Sequence, residues 1–125
     1  MEITEHSFSS ERHTSFYLSC GPEDGQLVIM THGWPELSLS WRHQLSFLGN
    51  LGFHAIAPDM RGYGNSSIYD EHTAYTQEEG MQDMLELFNH FKKEFCFRAS
   101  DKVIATAILI LSDLAFFFIG IFNLS

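Results

Sequence analysis

The sequence predicts an α/β protein, a mostly parallel sheet with helices packed on it. Uninterrupted apolar runs at 26–31 and 54–58 suit short strands covered on both faces. Between them, Trp41, Leu45, Leu48 and Leu51 recur at spacings of four, three and three, a helical stripe. A second stripe follows the second run, and strands that alternate with helices indicate a parallel sheet.

Taken in order, 14–18 reads as a short strand and Gly21-Pro22-Glu23-Asp24-Gly25 as a turn. The strand at 26–31 ends at His32-Gly33-Trp34-Pro35-Glu36. The helix predicted over 40–51 stops at Gly52. The strand at 54–58 runs into a polar loop, 60–75, rich in Gly and Ser. Thr76 and Glu79 form a capping box. The helix that follows is expected to bury Met81, Met84, Leu85, Phe88 and Phe91 and to end near Lys93, where cations complement the helix dipole. Gly80 inside it costs roughly 1 kcal/mol relative to Ala. A strand-like run follows at 103–111.

Composition narrows the function. The chain has 125 residues, enough for one domain. Sixteen acidic against 7 basic side chains give a net charge of −9, which argues against a nucleic-acid-binding surface. Cys20 and Cys96 have neither metal-ligand spacing nor a disulfide framework and read as reduced, packed thiols; no metal is expected. The polar, acidic first 25 residues do not read as a secretory signal peptide. The expected location is cytoplasmic.

Chemistry in open α/β sheets gathers outside the carboxyl ends of the strands. Two loops leave such ends. In His32-Gly33-Trp34-Pro35, Gly33 permits a tight turn and Pro35 permits a cis bond. Such a turn can aim the Trp34 N–H at a developing oxyanion. In Asp59-Met60-Arg61-Gly62-Tyr63-Gly64-Asn65-Ser66, two glycines bracket an aromatic residue, and Asp59 and Arg61 are close enough to lock the loop by hydrogen bonds. The G-x-G-x-x-G spacing of a phosphate-binding turn is missing. His32 is expected to shape its turn, and His43, His54 and His90 to be structural.

These loops, with Ser40-Trp41-Arg42-His43-Gln44, Gly52-Phe53 and Ala57-Pro58 in that order and spacing, resemble the N-terminal part of an α/β-hydrolase, closest to the epoxide hydrolase branch. The resemblance covers about residues 14 to 94. It implies a truncated α/β-hydrolase domain at 1–94 and a non-homologous apolar tail at 95–125. It further implies that Trp34 supplies an oxyanion N–H beside a cis Pro35, and that Asp59, Arg61, Gly62, Gly64 and Ser66 brace the site. The family's nucleophile is an Asp within Gly-x-Asp-x-Gly; it opens the epoxide to an ester that an Asp/Glu–His pair hydrolyses. The family needs no cofactor, and the ligand implied is a small apolar epoxide or an ester-like molecule.

The resemblance fails where the nucleophile belongs. Asp101 precedes the apolar run instead of following it. Asp113, in Leu111-Ser112-Asp113-Leu114-Ala115, follows a strand-like run and is the weak nucleophile candidate, since Leu111 is large for a strained elbow. Beyond it stand no His, no Tyr and no second carboxylate. The chain is therefore expected to be inactive alone, the alternative being a non-catalytic, membrane-associated or partner-binding α/β module. The tail is a candidate transmembrane segment: 103–124 holds 14 Val, Ile, Leu or Phe. These contribute about −6 kcal/mol on insertion scales, against about +3 for Asp113. Lys92, Lys93, Arg98 and Lys102 precede it, which would keep the N-terminal domain cytoplasmic.

Overall fold

The computed structural model describes residues 1–33, 36–96, 106–112 and 115–122, with side chains described as far as Phe91. The strands are β1 (Thr4–Ser9), β2 (Thr14–Cys20), β3 (Leu27–Thr31), β4 (His54–Pro58), β5 (Thr106–Ser112) and β6 (Ala115–Phe122). The helices are α1 (Arg42–Asn50) and α2 (Gln77–Cys96), with 3-10 turns at Ser38–Trp41 and His72–Tyr75. Among the described residues the strands form one sheet in the order β1-β2-β4-β3-β5-β6.

The sheet is mixed, which corrects the expectation of a mostly parallel one. β3 runs parallel to β4 and β5, and β2 runs antiparallel to both β1 and β4, as β6 does to β5. The connections explain the pattern. Helices α1 and α2 lie in the β3–β4 and β4–β5 connections, long enough for parallel crossovers, whereas β1 and β2 are joined by four residues and pair as a hairpin. β1 was not legible in the sequence because its residues are polar. It is an exposed edge strand held by backbone pairing to β2, with Phe8 packed on the core and His6 stacked on Tyr17.

Alternate residues of the central strands feed two cores. Leu18, Val28, Met30, Ala55 and Ala57 pack with Trp41 and Leu45 of the α1 side. Tyr17, Leu27, Ile29 and Ile56 pack with Met84, Leu87 and Phe91 of α2. Since strand side chains alternate between faces, one helix covers each face of the sheet. Leu51, expected at the end of the α1 stripe, is exposed, because the helix ends at Asn50.

Helix α2 starts at the expected cap, with the Glu79 N–H donating to Thr76 Oγ1 at 3.4 Å, but the Glu79 carboxylate of the expected capping box accepts from Arg12 at 3.0 Å. Its buried face differs from the expected one. Met84, Leu87 and Phe91 are buried and Phe88 is half-buried, whereas Met81 is 72% exposed and Leu85 is 50% exposed. The helix is turned so that Asp83 also faces inward, where two guanidinium groups hold it. That orientation leaves Met81 and Leu85 on the outer stripe.

The tail is not helical where it is described. The candidate transmembrane segment forms strands over Thr106–Ser112 and Ala115–Phe122. Among the described residues no helix is long and apolar enough to cross a membrane.

Candidate functional site

The parallel strands β3, β4 and β5 end at one edge of the sheet, and the two loops singled out in the sequence leave β3 and β4 there. His32, immediately after β3, is buried and joins them. Its Nε2 accepts the Met60 N–H at 2.9 Å, and its Nδ1 lies 2.9 Å from the Gly33 carbonyl oxygen. An acceptor Nε2 requires the proton on Nδ1, so the ring is held as the Nδ1–H tautomer with both nitrogens engaged. Tyr63 packs edge-on against it, with ring centroids 5.0 Å apart. His32 is therefore a brace between loops and not a free base.

Asp59 does the same with a carboxylate. Its Oδ1 accepts the Ser38 N–H at 2.9 Å, which fixes the start of the 3-10 turn after the β3 loop. Its Oδ2 accepts the Asn65 N–H at 3.1 Å. Ser66 Oγ donates to the Asp59 carbonyl oxygen at 2.5 Å and accepts the Phe16 N–H at 2.9 Å, tying the loop to β2. Both carboxylate oxygens thus serve backbone amides. The glycines make this fold possible. Gly64 has φ +48°, and a Cβ there would lie 2.1 Å from Asp59 Oδ2; Gly62 has φ +81°, and a Cβ there would lie 2.4 Å from the Tyr75 ring.

Arg61 bonds on the other side of the loop from Asp59. It turns to α2, where Nε and Nη2 meet Asp83 Oδ2 and Oδ1 at 2.6 and 2.8 Å. Its Nη1 donates to the Ala74 carbonyl oxygen at 2.5 Å, and its guanidinium lies 4.5 Å from the centroid of the Tyr69 ring. The hydrogen bond to Asp83 is the main reason that the Arg61 pKa is raised, against the opposing effect of burial.

Sequence reasoning missed the partners on this side. Arg12 reaches Glu79, Asp83 and Glu86 at 3.0, 2.8 and 3.1 Å, bridging the β1–β2 turn to α2. Tyr75 Oη bonds both the N–H and the carbonyl oxygen of Tyr69, closing the 68–75 segment over the loop. The available signal was the acidic series Glu79, Asp83 and Glu86 at spacings of four and three on one helix face.

The remaining predicted site residues, Trp34, Pro35, Asp101 and Asp113, lie outside the described residues. In sequence, Asp113 directly follows Ser112, the last residue of β5. Among the described residues no group of His, Cys, Asp and Glu could hold a metal ion.

Comparison with known proteins places this edge in a family. A model described as the alpha/beta hydrolase fold matches residues 26–120. Epoxide hydrolase 1 of Siraitia grosvenorii is 35% identical over 101 residues, covering 81% of this chain and 32% of that protein. The crystal structure of epoxide hydrolase VrEH1 from Vigna radiata superposes with a TM-score of 0.71 at 27% identity, over 86% of this chain and 32% of that one. A thioesterase domain from the curacin biosynthetic pathway matches with a TM-score of 0.70 at 19% identity, a likeness of fold alone. The chain spans about a third of the length of such relatives. With its sheet order, its two edge loops and these matches, the chain belongs to the alpha/beta hydrolase fold family, as a homologue of epoxide hydrolases over its N-terminal 100 or so residues.

Proposed function

We propose that this chain carries the oxyanion half of an epoxide-hydrolase-like site and does not complete repeated turnovers by itself. One observation supports the reading above the others. The His32-Gly33 turn and the 59–66 loop stand at the carboxyl ends of adjacent parallel strands and are tied together through His32 and Asp59. This is a rigid frame for a backbone N–H donor, which stabilises charge as it develops in the transition state. The ligand that fits the resemblance is a small apolar epoxide or an ester-like molecule.

Turnover needs a nucleophile and a base that regenerates it through water. Asp113 is the nucleophile candidate, because it follows the strand that runs parallel beside β3. Its carboxylate would attack an epoxide carbon, breaking the C–O bond and leaving an ester and a hydroxyl after protonation. His32, the histidine at this edge, already has both nitrogens engaged in structural bonds. With His32 committed, an ester formed on these 125 residues alone would persist, and at most one equivalent of substrate would react.

The test is product formed per mole of chain with a styrene-oxide-type substrate, for the native sequence and Asp113→Asn. One equivalent or less supports the proposal. Repeated turnovers abolished by Asp113→Asn would replace it with a complete, unusually short hydrolase. A binding-only reading is favoured by the commitment of His32 and Asp59 to structural bonds; no ester in the native chain by mass spectrometry, with retained ligand binding, would select it.

A further inference from the structure

We propose that Asp83 of α2 is a positioning residue for the edge loops, setting their geometry through Arg61; the functional meaning rests on reading that edge as the site. Asp83 is 1% exposed, in the middle of a helix face that otherwise buries Met84, Leu87 and Phe91. A carboxylate there costs far more than an apolar side chain unless it is fully paired. It is paired twice. Arg61 meets both its oxygens in a fork at 2.6 and 2.8 Å, and Arg12 adds a third bond at 2.8 Å. A bidentate guanidinium–carboxylate pair fixes direction as well as distance, so the position of α2 is transmitted to Arg61.

Arg61 is covalently next to Met60, whose N–H holds His32, and two residues from Asp59, whose carboxylate holds Ser38 and Asn65. The route from Asp83 to the turn after β3 runs through the Asp83–Arg61 fork, the 59–61 backbone, and the His32 and Ser38 bonds. The fork to Arg61 is the shortest of these links to the edge loops, while Arg12 and His13 hold Asp83 from the β1–β2 turn.

The experiment is amide hydrogen exchange on the full chain, together with the ring-nitrogen shifts of His32. Asp83→Asn is expected to speed exchange at the Ser38, Met60 and Asn65 amides by about tenfold or more while the amides inside β3 and β4 keep their rates. The His32 Nε2 resonance is expected to move away from its hydrogen-bonded acceptor position. Leu87→Ala, on the same helix face without a charge, is the control and should speed loop and strand amides by a common factor. The proposal is overturned if Asp83→Asn leaves the three loop amides unchanged, or speeds them no more than the strand amides. Should Asp83→Asn fail to fold, Arg61→Lys keeps the cation but loses the fork, and the same three amides should respond; an unchanged pattern there overturns the proposal equally. None of these readouts depends on turnover, so loss of the hydrolase reading and loss of this coupling are separately visible.

Discussion

His13 shows how closely single groups are set around α2. Its ring is buried, and Nδ1 lies 2.7 Å from the Tyr69 hydroxyl, which donates its own proton to the Arg12 carbonyl oxygen at 3.0 Å. Nδ1 must then be the donor, which leaves the Nε2 lone pair without a hydrogen bond, 3.6 Å from Asp83 Oδ2. Burial lowers its pKa below 6.5; Asp83 and Glu86 oppose this, while Arg61 and Arg12 reinforce it. The unfolded chain therefore binds a proton at this ring more readily than the folded one. The stabilising contribution is complete above pH 6.5 and is lost as pH falls toward the depressed folded value. Urea midpoints should be lower at pH 5.5 than at pH 7.5, and His13→Gln should flatten that difference. Glu86 adds its own loss only below about pH 4.5, because the bonds from Ser10, Arg12 and Gln82 outweigh burial and hold its pKa down. Gly64→Ala is predicted to cost about 1–3 kcal/mol, since it combines a positive φ with a collision on Asp59. Chemical denaturation reads that cost; an unchanged midpoint would mean that the loop relaxes freely.

At the scale of elements, the two edge loops were legible because turns announce themselves through Gly and Pro, and adjacent apolar runs located the strands beneath them. What the loop residues bond to was not legible. Spacing shows that Asp59 and Arg61 can lock the loop, but not that the partner of Arg61 stands 22 residues away on α2. The rotation of α2 is hidden in the sequence for a related reason. Hydrophobic periodicity ranks Met81 and Leu85 with Met84 and Phe91, and it has no means of counting a buried carboxylate as an inward-facing residue. The consequence is a sharp contrast between neighbours. Leu87→Ala should cost about 2–5 kcal/mol, because the side chain is fully buried between α2 and the sheet. Leu85→Ala should cost under about 1 kcal/mol, because half of that side chain is already in water. Equal costs in urea unfolding would show that the helix does not hold this rotation.

For the whole molecule, the sheet order leaves β1 and β6 as its outer strands among the described residues. Outer strands carry unpaired backbone groups that recruit other chains unless they are short, charged or covered. The two edges differ in their protection. β1 is Thr-Glu-His-Ser-Phe-Ser, with a charge and three hydroxyls. β6 is Ala-Phe-Phe-Phe-Ile-Gly-Ile-Phe, without a charge or a proline. Low charge and high β-propensity over six to eight residues are also the composition of self-pairing segments. The net charge of −9 opposes contact between copies, but screening shortens that repulsion to roughly 8 Å at physiological salt. Strand pairing needs a separation of about 5 Å, so added salt should favour it. Sedimentation of the purified chain should therefore show association that increases with concentration and with NaCl. Phe117→Lys, which sets a charge in the middle of β6, should reduce it strongly, whereas Ser7→Lys on β1 should leave it unchanged. Association that responds to Ser7→Lys and not to Phe117→Lys would assign the open edge to β1 instead. Because β5 lies between β3 and β6, pairing at β6 would also brace the strand whose end leads into Asp113.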